Sequence, residues 1–124
     1  MREKINIFEK VCEALVEILD IEPYEITIES YIFRELGAES IDILELSVSL
    51  NSKLKLKIKD DEIFLRKLRH YLKENRSFNY IRDKYPHLSE ERISEILYDV
   101  ENGPVLKVKD IISYIEWHFT RIDL

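Results

Sequence analysis

The stretch Leu36-Gly37-Ala38-Glu39-Ser40-Ile41-Asp42-Ile43-Leu44-Glu45-Leu46 decides how this chain is read. Gly37 permits a tight or left-handed backbone that a residue with a Cβ resists. Ser40 then stands at the first turn of a predicted helix continuing through Ile41, Leu44 and Val48, with its hydroxyl facing solvent. A helix start leaves backbone N–H groups unpaired and carries partial positive charge, so a phosphate joined to the Ser40 oxygen sits in a favourable field. Glu39, Asp42 and Glu45 crowd the same place with negative charge. They make a poor site for a free anion, but a good docking surface for a basic partner that brings its phosphate covalently. A lone serine in this position is most simply an N-cap. The glycine three residues before it and the acidic residues around it favour attachment.

Those residues resemble the acyl carrier protein family, whose attachment motif is a Gly-x-Asp-Ser-Leu run opening the second helix of a small four-helix bundle. The motif here reads Gly37, Ala38, Glu39, Ser40, Ile41, Asp42. The resemblance continues through Leu46 and Leu50 to LKIKDDE, Leu56 to Glu62, and resumes at VKDIISYI, Val108 to Ile115, which is similar to the family's last helix. It implies that Ser40 carries 4′-phosphopantetheine, added from coenzyme A by a separate phosphopantetheinyl transferase, and that the arm's thiol holds an acyl group as a thioester. Glu39 replaces the usual aspartate, Ile41 the usual leucine and Lys59 the usual proline. Lys53, Lys55, Lys57 and Lys59 stand where many carriers are acidic, so the surface that a partner reads is altered.

Length and composition suit one compact domain. The chain has 124 residues, 45% of them apolar, which is enough for one core and short for two. No stretch approaches the length of a membrane span, and the start MREKINIFEK lacks the apolar block of a signal peptide, so a cytoplasmic location is expected. Cys12 is the only cysteine, which excludes an intrachain disulfide. It falls in the series Ile5, Phe8, Cys12, Leu15, Leu19 on one helical face and reads as a small buried residue. His70, His87 and His118 show no metal-ligand or nucleophile-base spacing, and His118 is expected to end the last helix. No metal site and no catalytic residue are therefore assigned.

The acidity is concentrated in the carrier-like part. Residues 1–62 hold 15 acidic and 8 basic side chains, whereas residues 63–104 hold 7 and 8. This argues against nucleic acid as a partner of the first part and for a basic protein surface, although charge of this kind serves solubility equally.

An apolar stripe predicts a first helix over about residues 3–19, and the serine-led run predicts a second over about 40–53. Residues 20–37 are expected as a packed loop with Ile26, Ile28, Ile32, Phe33 and Leu36 inward. Leu54, Leu56 and Ile58, alternating with lysines, read as an extended connector. Ile63, Phe64, Leu65, Leu68, Tyr71 and Leu72 then predict one amphipathic helix whose other face is basic through Arg66, Lys67, Arg69, His70 and Lys73. A polar, aromatic linker, RSFNYIRDKYPHL, follows it. Ser89 reads as the N-cap of a helix with the stripe Ile93, Ile96, Leu97, Val100, stopped by Gly103-Pro104.

The expectation is thus an all-α, acyl-carrier-like four-helix bundle spanning residues 1–124 as a single domain, with residues 63–104 inserted as one to three packed helices. The resemblance implies a carrier, not an enzyme, tethering acyl intermediates for acyl-transfer or synthase enzymes of fatty acid, lipid or related biosynthesis, on long or unusual chains. Ser40 is the attachment point, Glu39, Asp42 and Glu45 are docking residues, and Ile41, Leu44, Val48, Leu56 and Ile112 are the wall that an acyl group meets. Two other readings stay open: a peptidyl or aminoacyl carrier using the same serine, and a non-carrier interaction module that presents the basic insertion.

Overall fold

A computed structural model describes residues 6–122. The first helix, α1 (Ile7–Leu19), begins at Asn6, whose side chain accepts the Glu9 N–H at 3.0 Å, and ends at Asp20 in a left-handed conformation. Val11, Ala14 and Leu15 are its buried residues, while Phe8, Cys12 and Leu19 are only half-buried, so the inward face is rotated from the expected one. The reason is its neighbours: α1 packs against both α2 (Ser40–Leu54) and α7 (Val108–Ile122), and the middle of the broad apolar face lies between them. Ile5 lies outside the described residues.

The long segment before α2 is stitched down by backbone hydrogen bonds rather than by helix. Ile32 N–H donates to Leu106 O at 3.0 Å, Val108 N–H to Ser30 O at 3.0 Å and Lys109 N–H to Ile28 O at 2.9 Å, around an isolated antiparallel bridge between Tyr31 and Lys107. Ile26 and Ile32 are buried and Phe33 and Leu36 half-buried, as expected of a packed loop. Ile28 is not: its side chain is half exposed, because its backbone is held at the surface by Lys109.

After α2 the connector is extended, and it is pinned at both ends. Asn51 Oδ1 accepts the Ile58 N–H at 2.8 Å, and the Ser47 hydroxyl donates to Asp60 Oδ1 at 2.6 Å. The expected helix over residues 63–73 is broken into α3 (Asp60–Ile63) and α4 (Leu68–Glu74), with Leu65 at φ +53° in the break. Three consecutive apolar residues cannot all face inward from one helix. The break allows it, and Ile63, Phe64 and Leu65 are all buried. A left-handed leucine costs about 1–2 kcal/mol, which burial of two such side chains offsets.

The expected linker contains a further helix, α5 (Phe78–Lys84), capped by Ser77, which accepts the Tyr80 N–H at 3.2 Å. Its signal was present in the chain: a serine followed by apolar residues at Phe78, Ile81 and Tyr85. The helix α6 (Glu90–Asp99) starts at Ser89 as expected, with Arg92 N–H donating to the Ser89 hydroxyl at 3.1 Å. A single 3₁₀ turn, Val100–Asn102, and Gly103 end it. The last helix continues past His118 to Ile122, so His118 does not terminate it; its ring stacks on Tyr114 instead.

One buried ion pair ties α6 to α7. Arg92 Nε lies 2.7 Å from Asp110 Oδ1 and Arg92 Nη2 lies 2.8 Å from Asp110 Oδ2, while Nη2 also donates to Val105 O at 2.7 Å. The two side chains are 6% and 1% exposed. Asp110 accepts in addition the Lys107 N–H at 2.9 Å, which caps the start of α7. The fold is all-α, as expected, and no helix among the described residues is long and apolar enough to cross a membrane.

Candidate functional site

Gly37 adopts φ +74°, where a Cβ is unfavourable, and turns the chain into Ala38, whose N–H donates to Ile32 O at 3.1 Å. The helix α2 then begins, and its N-cap residue is Glu39, not Ser40. Asp42 performs the capping by accepting the Glu39 N–H on its carboxylate at 2.8 Å. Ser40 is exposed at the first helical position, and its hydroxyl makes no hydrogen bond among the described residues. The cap is therefore satisfied without this serine, and its oxygen is left uncommitted.

Glu39 and Glu45 are exposed beside it, whereas Asp42 is half-buried and already engaged in the cap. Of the residues expected to form an acyl wall, Ile41, Leu44 and Val48 lie on the outer face of α2, at 63%, 52% and 70% exposure. The helical period explains this, because Ile43, Leu46, Leu50 and Leu54 occupy the inner face and α2 is apolar on both sides. Leu56 is buried and Ile112 half-buried, but neither lines the space beside Ser40.

That space is a cavity of about 200 Å³ with Ser40 at its edge. Its apolar lining comes from Phe33 in the loop, Ile43 in α2, Phe64 and Leu65 at the helix break, and Val100 and Leu106 beyond α6. The sequence shows each of these as an ordinary core residue; only the break at Leu65 and the stitching of residues 28–32 to 106–109 bring them together. Arg66 and Arg69 complete the rim.

A polar cluster clamps the loop side of the cavity to the end of α6. Tyr31 donates its hydroxyl to Asp99 Oδ2 at 2.6 Å, and Arg34 donates to Asp99 Oδ1 at 3.1 Å and to Gly103 O at 3.0 Å. The Arg34 guanidinium also lies over the Tyr31 ring at 4.2 Å. The Tyr31 hydroxyl, followed by Arg34 and Asn102, holds the Asp99 carboxyl down to about 2, and the same hydrogen bond pushes the Tyr31 hydroxyl up.

The three histidines are scattered. His70 pairs with Glu74 at the surface at 3.1 Å, His87 is buried among aromatic rings, and His118 stacks on Tyr114.

A family model described as a phosphopantetheine attachment site matches residues 9–71, half of the chain. The chain belongs to that family. The carrier is similar to the acyl carrier proteins of Campylobacter concisus and Wolinella succinogenes, at 39% identity over 56 residues in each case. The aligned part is 45% of this chain and 73% and 74% of those two. It is 38% identical over 55 residues to the acyl carrier protein of Clostridium perfringens, which is 44% of this chain and 72% of that one. No solved structure matches. Members of the family carry 4′-phosphopantetheine covalently on a serine and act as carriers, not catalysts. They work with phosphopantetheinyl transferases and acyl-transfer enzymes. The matched span holds α1 from Glu9 on, α2, α3 and the first part of α4; residues 72–122 lie beyond it.

Proposed function

We propose that Ser40 is the serine that bears the arm, and that the carrier tethers acyl intermediates as thioesters for partner enzymes of fatty acid, lipid or related biosynthesis in the cytoplasm. The supporting observation is an exposed, uncommitted hydroxyl at the start of α2, inside the family match and on the edge of an apolar cavity. Attachment makes a bond from Ser40 Oγ to the phosphorus of coenzyme A that bears the pantetheine. The pyrophosphate bond breaks, the adenosine bisphosphate half leaves, and the hydroxyl proton passes to a base of the transferase. The arm's thiol supplies the thioester linkage. The remaining work belongs to the protein: α2 presents the oxygen to solvent, and its N-terminal N–H groups favour the phosphodiester charge. The tether itself raises the local concentration of cargo at each partner.

Residues 63–104 form, in this reading, a helical insertion within one carrier domain. Its first nine residues fall inside the family match, and the Arg92–Asp110 pair fastens it to the last helix.

The test is intact-protein mass after incubation with coenzyme A and a broad-specificity phosphopantetheinyl transferase. One arm is expected on the wild type and none on Ser40→Ala. A folded wild type that stays unmodified would turn the reading toward an interaction module.

Docking gives a second expectation. Glu39 and Glu45 are exposed to a basic partner, while Asp42 is half-buried and shares with Glu39 the reciprocal capping box of α2. The variant Glu39→Lys/Glu45→Lys is expected to slow modification at least tenfold with the fold retained, Glu45→Lys alone to slow it less with unchanged helicity, and added salt to slow the wild type. Asp42→Lys is expected in addition to lower stability by about 1 kcal/mol through the lost cap. Modification rates that ignore both charge reversal and salt would leave the acidic face a solvated surface only.

A further inference from the structure

The cavity beside Ser40 is apolar except at its rim, where Arg66 and Arg69 line it and no carboxylate does. The arginines nearest in kind are neutralised, Arg34 by Asp99, Arg76 by Glu101 and Arg92 by Asp110, whereas several surface lysines and Arg82 have no ion pair among the described residues. Arg66 and Arg69 have none either. The Arg66 side chain makes no hydrogen bond or ion pair among the described residues, and Arg69 donates only to the Val100 carbonyl, at 3.2 Å. Two guanidiniums on the rim of one small apolar cavity repel each other and raise its positive potential, and their planar donors match carboxylate or phosphate oxygens. Both side chains are exposed, so a purely hydrocarbon occupant would leave their charges to solvent and use neither.

We propose that Arg66 and Arg69 make this cavity a site for an anionic group carried on the Ser40 arm. The inference rests on Ser40 as the attachment point. The anion has two possible sources with one chemistry: the phosphodiester that joins the arm to Ser40, or an acidic group on the acyl cargo, as in the thioester of a dicarboxylic acid. Either places apolar atoms of the arm or chain against Phe33, Ile43 and Phe64, and negative charge against the two arginines. Such a site selects cargo by its charge and not by length alone.

The experiment uses the full chain loaded through Ser40 in three forms: free thiol, hexanoyl and adipoyl, the last two matched in length and differing in a terminal carboxylate. Loading is verified by intact mass. The phosphodiester ³¹P resonance and the thermal midpoint are measured for wild type, Arg66→Gln, Arg69→Gln and the double variant. If the cargo supplies the anion, the adipoyl form melts above the hexanoyl form by about 4 °C, and the difference vanishes in the double variant. If the phosphodiester supplies it, the ³¹P resonance shifts in the double variant in all three forms, and the three melt alike. A full mass increment with neither response overturns this inference alone. A missing increment removes the attachment reading and this inference with it.

Discussion

Replacing Arg92 by leucine is expected to cost about 3–5 kcal/mol of stability and to lower the thermal midpoint by roughly 10–20 °C. The substitution strips Asp110 of a bidentate partner while leaving its carboxylate 1% exposed, with the Lys107 N–H as the remaining donor. It also leaves Val105 O without the Arg92 donor. An uncompensated buried charge is more damaging than the absence of the pair, because the pair's mutual attraction only offsets the desolvation of its members. The double variant Arg92→Leu/Asp110→Leu is therefore expected to be more stable than Arg92→Leu alone. It falls short of the wild type by about 1 kcal/mol, since Asp110 also caps α7. Denaturant midpoints of the three proteins decide this. A single variant within about 1 kcal/mol of wild type would show that the pair contributes little to holding α6 on α7.

This pair was invisible in the sequence for a definite reason. Arg92 follows two glutamates at the start of a predicted helix and Asp110 follows the alternating Lys107-Val108-Lys109, so each looks like part of a solvated charge pattern. Local periodicity carries which face of a helix is apolar; it does not carry which polar residue will find a partner from another element. The elements that were legible are those whose signal is local. Ser89 before Glu90 and Glu91, Gly37 before Ser40, and Gly103-Pro104 after Val100 each combine a cap or stop with a stripe, and each holds.

Two of the misread elements have too many apolar residues for their geometry. In α2 both Ile41, Leu44, Val48 and Ile43, Leu46, Leu50 run at helical spacing, and only packing against α1 selects the second set for burial. Ile63, Phe64 and Leu65 likewise exceed what one helix buries, and the resulting break is what brings Phe64, Leu65 and Arg66 beside Ser40. The exposed serine at the start of α2 was therefore readable from its neighbours in sequence, whereas the cavity beside it was not, because the lining is assembled from the loop, the break and the segment after α6.

Acid is expected to weaken this fold through His87. The imidazole is buried between Tyr85, Tyr114 and Trp117, with the Tyr114 ring perpendicular at 5.2 Å, and neither ring nitrogen has a hydrogen-bond partner. Burial alone lowers its pKa from 6.5 to about 4. The folded protein thus holds this histidine neutral, while the unfolded chain protonates it near pH 6.5. Above that pH both states are neutral and the contribution is constant. As the pH falls from 6.5 toward 4 the unfolded state gains a proton that the fold refuses, and roughly 3 kcal/mol is lost over the whole interval. Asp99 titrates far below this range, near 2, and Glu29, Glu74 and Glu95 are held below the usual glutamate value. Between pH 7.5 and 5 the histidine therefore accounts for most of the loss, at about 2 kcal/mol. His87→Phe keeps a planar ring among the aromatics and removes two unpartnered polar atoms, so it is expected to be about 1 kcal/mol more stable at neutral pH and nearly flat over the same range. Unfolding midpoints of both proteins at closely spaced pH values give the comparison. A wild type and a variant that lose stability in parallel between pH 7.5 and 5 would mean that the fold relaxes around the charged imidazole instead of excluding it.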